Sequence, residues 1–204
     1  MKNRVVALLG SSLLVLGTAA VAIAVQDQKL SPEQQKQMEM FMQAGTPGPE
    51  HAELAKGAGT WDMAVKMWWD ANTPPTESKG VMTAAMVLGG RYLRGDVVGE
   101  PMGDQRFEGT VCVAFDNVTK TWQSTWIDNM STSISVMTAP GGGDGKVRTW
   151  KGTMSDPMAG KAVAVREVQT HMSPDSWKSE TFAPGKDGKE YKSMEIVYTR
   201  RKGG

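Results

Sequence analysis

From Gly59 onward, turn-forming clusters interrupt the chain at intervals of roughly ten to fifteen residues. They are Asn72 to Pro75, Gly89-Gly90, Gly99 to Gly103, Asp116-Asn117, Asp128-Asn129, Pro140 to Gly145, Ser155 to Pro157, Ser173 to Asp175 and Pro184 to Gly188. The runs between them are rich in Val, Thr, Trp, Tyr and Met, and are too short to supply the crossover helices that a parallel sheet needs. The expectation is therefore an all-β fold, an antiparallel barrel of about ten strands, because closing the sheet removes two exposed edges. A barrel of that strand number is wide enough to hold a small ligand.

Alternation with a period of two shows which side chains share a face. Trp61, Met63, Val65 and Met67 lie together on the first run. Val111, Val113 and Phe115 share a face of another, with Thr110, Cys112 and Ala114 opposite. On the last run Met194, Ile196, Tyr198 and Arg200 line up, with Glu195, Val197 and Thr199 behind them. Cys112, the single cysteine, reads as a buried thiol, and the fold stands without an internal disulfide.

The region before Gly59 has a different texture. Lys2 and Arg4 precede an uncharged apolar run from Val5 to Ala24 that ends in Ala22-Ile23-Ala24, the order of a cleavable export signal over 1–24. The expectation is a periplasmic or secreted protein with no stable membrane insertion once the signal is removed. Residues 25–48 read as a polar helical lead-in, opened by the capping-box pattern Ser31-Pro32-Glu33-Gln34, and 49–202 as the barrel domain, with a short helix from Pro49 that stops at Gly57. At 204 residues one domain is the default. The 23 basic and 22 acidic residues are nearly balanced, which gives no electrostatic footprint for nucleic acid. Nothing in the pattern sets an oligomeric state.

Several separated motifs carry a resemblance: Gly59-Thr60-Trp61-Asp62, Ser124 to Thr132, Asp156-Pro157-Met158-Ala159-Gly160-Lys161, and Met194 to Arg200. With them the chain resembles a bacterial family known as domain of unknown function 1579, from about Pro49 to Lys202. A more distant similarity is to the calycins, the group of lipocalins and fatty-acid-binding proteins. Gly59, Trp61 and Arg200 match the Gly-x-Trp that opens those barrels and the arginine near their end. The resemblance implies a calycin-like barrel in which the tryptophan plugs one end and the arginine lies over its face, a cation–π contact worth about 0.5–2 kcal/mol.

Few residues carry recognisable chemistry. Gly141 to Lys146 fails as a phosphate loop, because Pro140 stands where the first glycine is required and Val147 where a hydroxyl should be. Of the two histidines, His51 is expected to be exposed on its short helix, and His171, which ends a strand, is expected at the surface, with a place at a barrel mouth as the alternative. A haem held through His171 is the minor cofactor reading; no metal site is expected. Trp126, Asp128, Glu195 and one of the adjacent pair Arg166 and Glu167, which point to opposite faces, are the expected ligand-binding residues, since an amphipathic ligand needs one or two polar anchors in an apolar wall. Of the fifteen methionines, Met63, Met67, Met82, Met86, Met137, Met154, Met172 and Met194 fall on strands, where they line a pliable cavity or simply pack the core.

Three functions compete on this reading. The first is a non-catalytic binding protein for a small hydrophobic or amphipathic molecule. The second is an enzyme with Glu167 or Glu195 as general base. The third is an interaction protein with a filled barrel, in contact with partners through Met38, Phe41 and Met42.

Overall fold

The computed structural model describes residues 30–202. The expected signal, 1–24, and the first residues of the lead-in lie outside the described residues. Two helices, α1 (Pro32–Ala44) and α2 (Pro49–Ala55), precede ten strands. These are β1 (Gly59–Met67), β2 (Thr76–Val87), β3 (Tyr92–Met102), β4 (Gln105–Asp116), β5 (Thr121–Asp128), β6 (Ser135–Pro140), β7 (Val147–Asp156), β8 (Lys161–Ser173), β9 (Ser176–Pro184) and β10 (Glu190–Arg200). Helix α1, taken by itself, opens with a reciprocal cap. The Gln34 amide donates to the Ser31 hydroxyl at 3.3 Å, and the Ser31 amide to Gln34 Oε1 at 2.9 Å.

Each strand pairs antiparallel with the next, and β1 closes the circle against β10, so the sheet is an up-and-down barrel without free edges. Register fixes the interior. Trp61, Met63 and Val65 face Arg200, Tyr198 and Ile196 across the closing pair, and Met82 and Ala84 continue the inner face on β2. Cys112 pairs with Arg94 on the outer face, only half-buried. The alternation that turns Val111 and Val113 inward turns this thiol outward, which corrects the expectation of a buried cysteine. Its surroundings still push the thiol's pKa up, chiefly by burial.

One end of the barrel is closed by its own side chains and by α2. Leu54 of α2 joins a buried cluster with Trp61, Leu93, Phe115 and Trp122. His51 is buried too, contrary to the exposed position expected for it. Its Nδ1 accepts the Gly48 amide at 3.0 Å, capping α2, and its ring stands edge-on to Phe115 at 6.3 Å. The short helix reads as polar, but at seven residues it is one face of a plug, and the imidazole serves as both cap and packing.

Arg200 locks the same end. Its guanidinium lies 4.2 Å from the Trp61 ring centre, and donates to the carbonyls of Ala58 and Lys56 at 2.7 Å each and to Asp175 at 3.0 Å. Gly59 makes this possible. Its φ of +127° suits glycine, and a Cβ there would sit 2.6 Å from Arg200 Nη1. The opposite end is bounded only by hairpin loops, with Trp69 65 % exposed and Met130, Ile134 and Met158 also exposed.

Candidate functional site

The strands enclose a cavity of about 2970 Å³, a volume that takes in the funnels between the loops at both ends. Ordinary ligand pockets span about 300–1,000 Å³, so the space, grooves around the plug and the open mouth included, exceeds that of an ordinary pocket. The wall built from β1 to β5 is mainly apolar, with Met63, Val65, Met82, Val97, Val111 and Trp126 facing inward beside Ser78, Ser124 and, at the end of β5, Asp128. Of the eight methionines expected on strands, seven line the space, all but Met86, which packs against the core.

The wall from β7 to β10 differs. Glu167 stands opposite Trp150 on β7 and Thr181 on β9, and Gln169 opposite Arg148 and Ser179. All of these residues border the cavity. Ser179 and Thr181 are 4 % and 8 % exposed, and Trp150 Nε1 donates to Gln169 Oε1 at 3.3 Å. Tyr198 lies further along toward the closed end, level with Trp177 and stacked on it with ring centres 3.5 Å apart. Glu167 keeps some accessible surface, but that surface faces the barrel lumen. Burial pushes its carboxyl well above the usual glutamate range, and a hydrogen bond with Ser179 pulls it only partly back. Burial, and then the Glu167 charge, raise Tyr198 as well.

The expected ligand residues divide by strand parity. Trp126, Asp128 and Glu167 border the cavity. Trp126 donates from Nε1 to Asp128 Oδ2 at 2.7 Å, stacks near Phe107 at 6.2 Å, and lies across Gly109, where a Cβ would collide with its ring. Arg166 and Glu195 do not reach the cavity, which resolves the adjacent pair in favour of Glu167 and corrects the position expected for Glu195. Arg166 grips Glu190 with two hydrogen bonds, at 3.1 and 2.6 Å, and lies 4.0 Å from the Phe182 ring centre on the outer wall. Glu195, also outside, pairs with Lys192 at 2.6 Å. Each follows a neighbour that faces inward, and one step along a strand reverses the face.

His171 borders the cavity at the closed end, the alternative place rather than the surface one expected, with its ring 6.4 Å from that of Trp177. Burial and then the charge of Arg148 lower its pKa, so the neutral imidazole is favoured. Arg148 itself is held in place, with Nη2 2.6 Å from Glu53 of α2 and its guanidinium 3.8 Å from the Trp122 ring centre. Among the described residues no group of three or more His, Cys, Asp or Glu side chains is disposed to hold a metal. The sequence reading placed Tyr198 on the inward face but missed Gln169, Ser179 and Thr181. The signal was the alternation Trp177-x-Ser179-x-Thr181, which places two small hydroxyls on the same face as a large aromatic.

The fold has a counterpart of known structure. Rv2717c from M. tuberculosis superposes with a TM-score of 0.53 at 14 % identity, over 77 % of this chain and all of that one. A redesigned β-barrel matches more loosely, with a TM-score of 0.37 at 14 % identity over 73 % of this chain and 96 % of that one. No curated protein sequence matches. The model of the family described as "Protein of unknown function (DUF1579)" matches residues 46–200, all ten strands included, and the chain belongs to that family.

Proposed function

We propose that the protein binds a small hydrophobic or amphipathic molecule inside its barrel, and that it does so after export from the cytoplasm. The observation that carries the reading is a wide cavity with an apolar wall of methionine, valine and tryptophan facing a wall that carries the Glu167 cluster. Such a pair of walls buries a hydrocarbon or aromatic body on one side and orients one polar group on the other. Export is supported by the charged, apolar and small-residue order of the first 24 residues.

Catalysis by a cavity base is the weaker reading. Of its two candidate carboxylates Glu195 faces away from the cavity, which leaves Glu167 with a raised carboxyl, as a general base would have, but with only the Ser179 hydroxyl hydrogen-bonded to it among the described residues.

Native mass spectrometry of the protein purified from its own host, with an absorption spectrum of the same sample, tests the binding reading. A bound small molecule is expected. A companion test is Trp126→Ala, which should weaken ligand binding by about tenfold, or about 1.4 kcal/mol, with little change in thermal stability. Equal loss of both would make Trp126 plain core and count against the proposal.

A further inference from the structure

We infer that the ligand's polar group is electrically neutral, an alcohol, carbonyl, ester or amide that hydrogen-bonds at Glu167, and that carboxylates and amines of the same length are disfavoured. This rests on the binding reading above and names the class of ligand that the same cavity accepts.

The inference follows from where the charges of the inner wall are committed. Three cationic side chains of the described residues stand at inward-facing strand positions. Arg200 is taken by Asp175, two backbone carbonyls and the Trp61 ring. Arg148, the nearest cation to Glu167 by register, is taken by Glu53 and lies over Trp122. Lys161 is exposed at the opposite rim, six positions from Glu167 along β8, or roughly 20 Å at 3.3 Å per residue. Among the described residues no guanidinium or ammonium is therefore free to meet a ligand carboxylate in the middle of the barrel; Lys56 and Lys146 border the cavity at the closed end, and Lys79 and Lys186 toward the open one.

The groups around Glu167 are neutral in turn: Ser179, Thr181 and Gln169 are polar, and Met194 and Ile196 follow them on β10. Each of the three polar groups can donate or accept, and none offsets a full charge. Glu167 itself has no ion-pair partner among the described residues, and burial favours its protonated form. A carboxylate placed here would lose its hydration with no counter-ion in exchange. An ammonium would have to bury an ion pair with Glu167, an exchange that desolvation opposes, while Asp128, at the open end of β5, already accepts from Trp126 Nε1 and the Met130 amide. A neutral hydrogen-bonding group incurs neither cost, and the carboxyl, hydroxyls and amide can satisfy it in either polarity.

The experiment is a head-group series on one tail. Decanol, decanamide, decanoate and decylamine are titrated against the purified protein near neutral pH, followed by tryptophan fluorescence and calorimetry. Decanol and decanamide are expected to bind about tenfold tighter or more than either charged compound. Decanoate binding as well as decanol would overturn the inference and reveal an anion site. Decylamine binding best would overturn it by making Glu167 an ionised counter-ion. If none of the four binds, the binding reading fails and this inference with it, which separates the two failures. Glu167→Leu then places the contact, since it should reduce the preference for decanol over decane by about tenfold. An undiminished preference would remove Glu167 from the site. If that variant does not fold, the series on the unaltered protein decides.

Discussion

The closed end of the barrel and the middle of its β8–β9 wall both hold ionisable groups away from bulk water, and they treat them in opposite ways. At the closed end both guanidiniums are answered: Arg200 by Asp175 and two carbonyls, Arg148 by Glu53, each also covering a tryptophan. At the β8–β9 wall Glu167 has only Ser179. A charge with a complete set of partners is part of the architecture. A carboxyl left short of partners inside a cavity has room for one more, and that is the mark of a site.

The sharpest way to break this contrast is to remove the centre of the plug. Trp61 is 2 % exposed, donates from Nε1 to the Gly57 carbonyl at 2.9 Å and supports Arg200. Trp61→Ala is expected to cost about 3–5 kcal/mol of stability in urea unfolding, as for other large buried aromatics. Ser179→Ala, which removes one hydrogen bond from the β8–β9 wall, should cost only about 1 kcal/mol. Comparable losses would mean that both regions are simply core.

Next in size is Arg200→Lys. The ammonium keeps the charge but cannot reach Asp175, Ala58 and Lys56 together while lying flat on an indole. A loss of about 1–3 kcal/mol is expected. A neutral outcome would show that charge, not the planar fork, holds the closed end, and would weaken the argument that these partners are saturated by geometry.

Most of this architecture was legible in the chain. Turn clusters and alternation give the strand count and the inward face of β1, β4 and β10, because a twisted antiparallel sheet leaves little freedom once its turns are fixed. The site was legible only in part. The alternation that places Tyr198 inside already places Glu195 outside, and choosing Glu195 for its chemistry overrode that rule. Arg166 and Glu167 posed a true ambiguity, since two adjacent polar residues give no hydrophobic signal for parity. The pairing partners Trp150 and Thr181 resolve it, and those are long-range facts. His51 was misplaced for a similar reason. Its helix is polar in sequence, and only the barrel end beneath it, with Phe115, makes that position a buried one.

The smallest expected effect bears most directly on Glu167. Its folded pKa lies above that of an unfolded glutamate, near about 4.3, so protonation favours the folded state. The stability this contributes is fully present below the unfolded value and is lost as pH rises through the folded one. Asp62, Asp96, Asp116, Glu180 and Glu190 act with the opposite sign, since their lowered values make stability fall as pH falls. Those groups are common to the unaltered protein and to Glu167→Gln, so they cancel in the difference between the two. Glu167→Gln should therefore match the parent in acid and gain on it as pH rises, by a margin on the order of 1 kcal/mol, the scale of one net hydrogen bond. Melting temperatures of both proteins across the acid-to-neutral range measure this. A difference that stays flat with pH would mean that Glu167 is as well satisfied as the arginines of the closed end, and the contrast between the two regions would be lost.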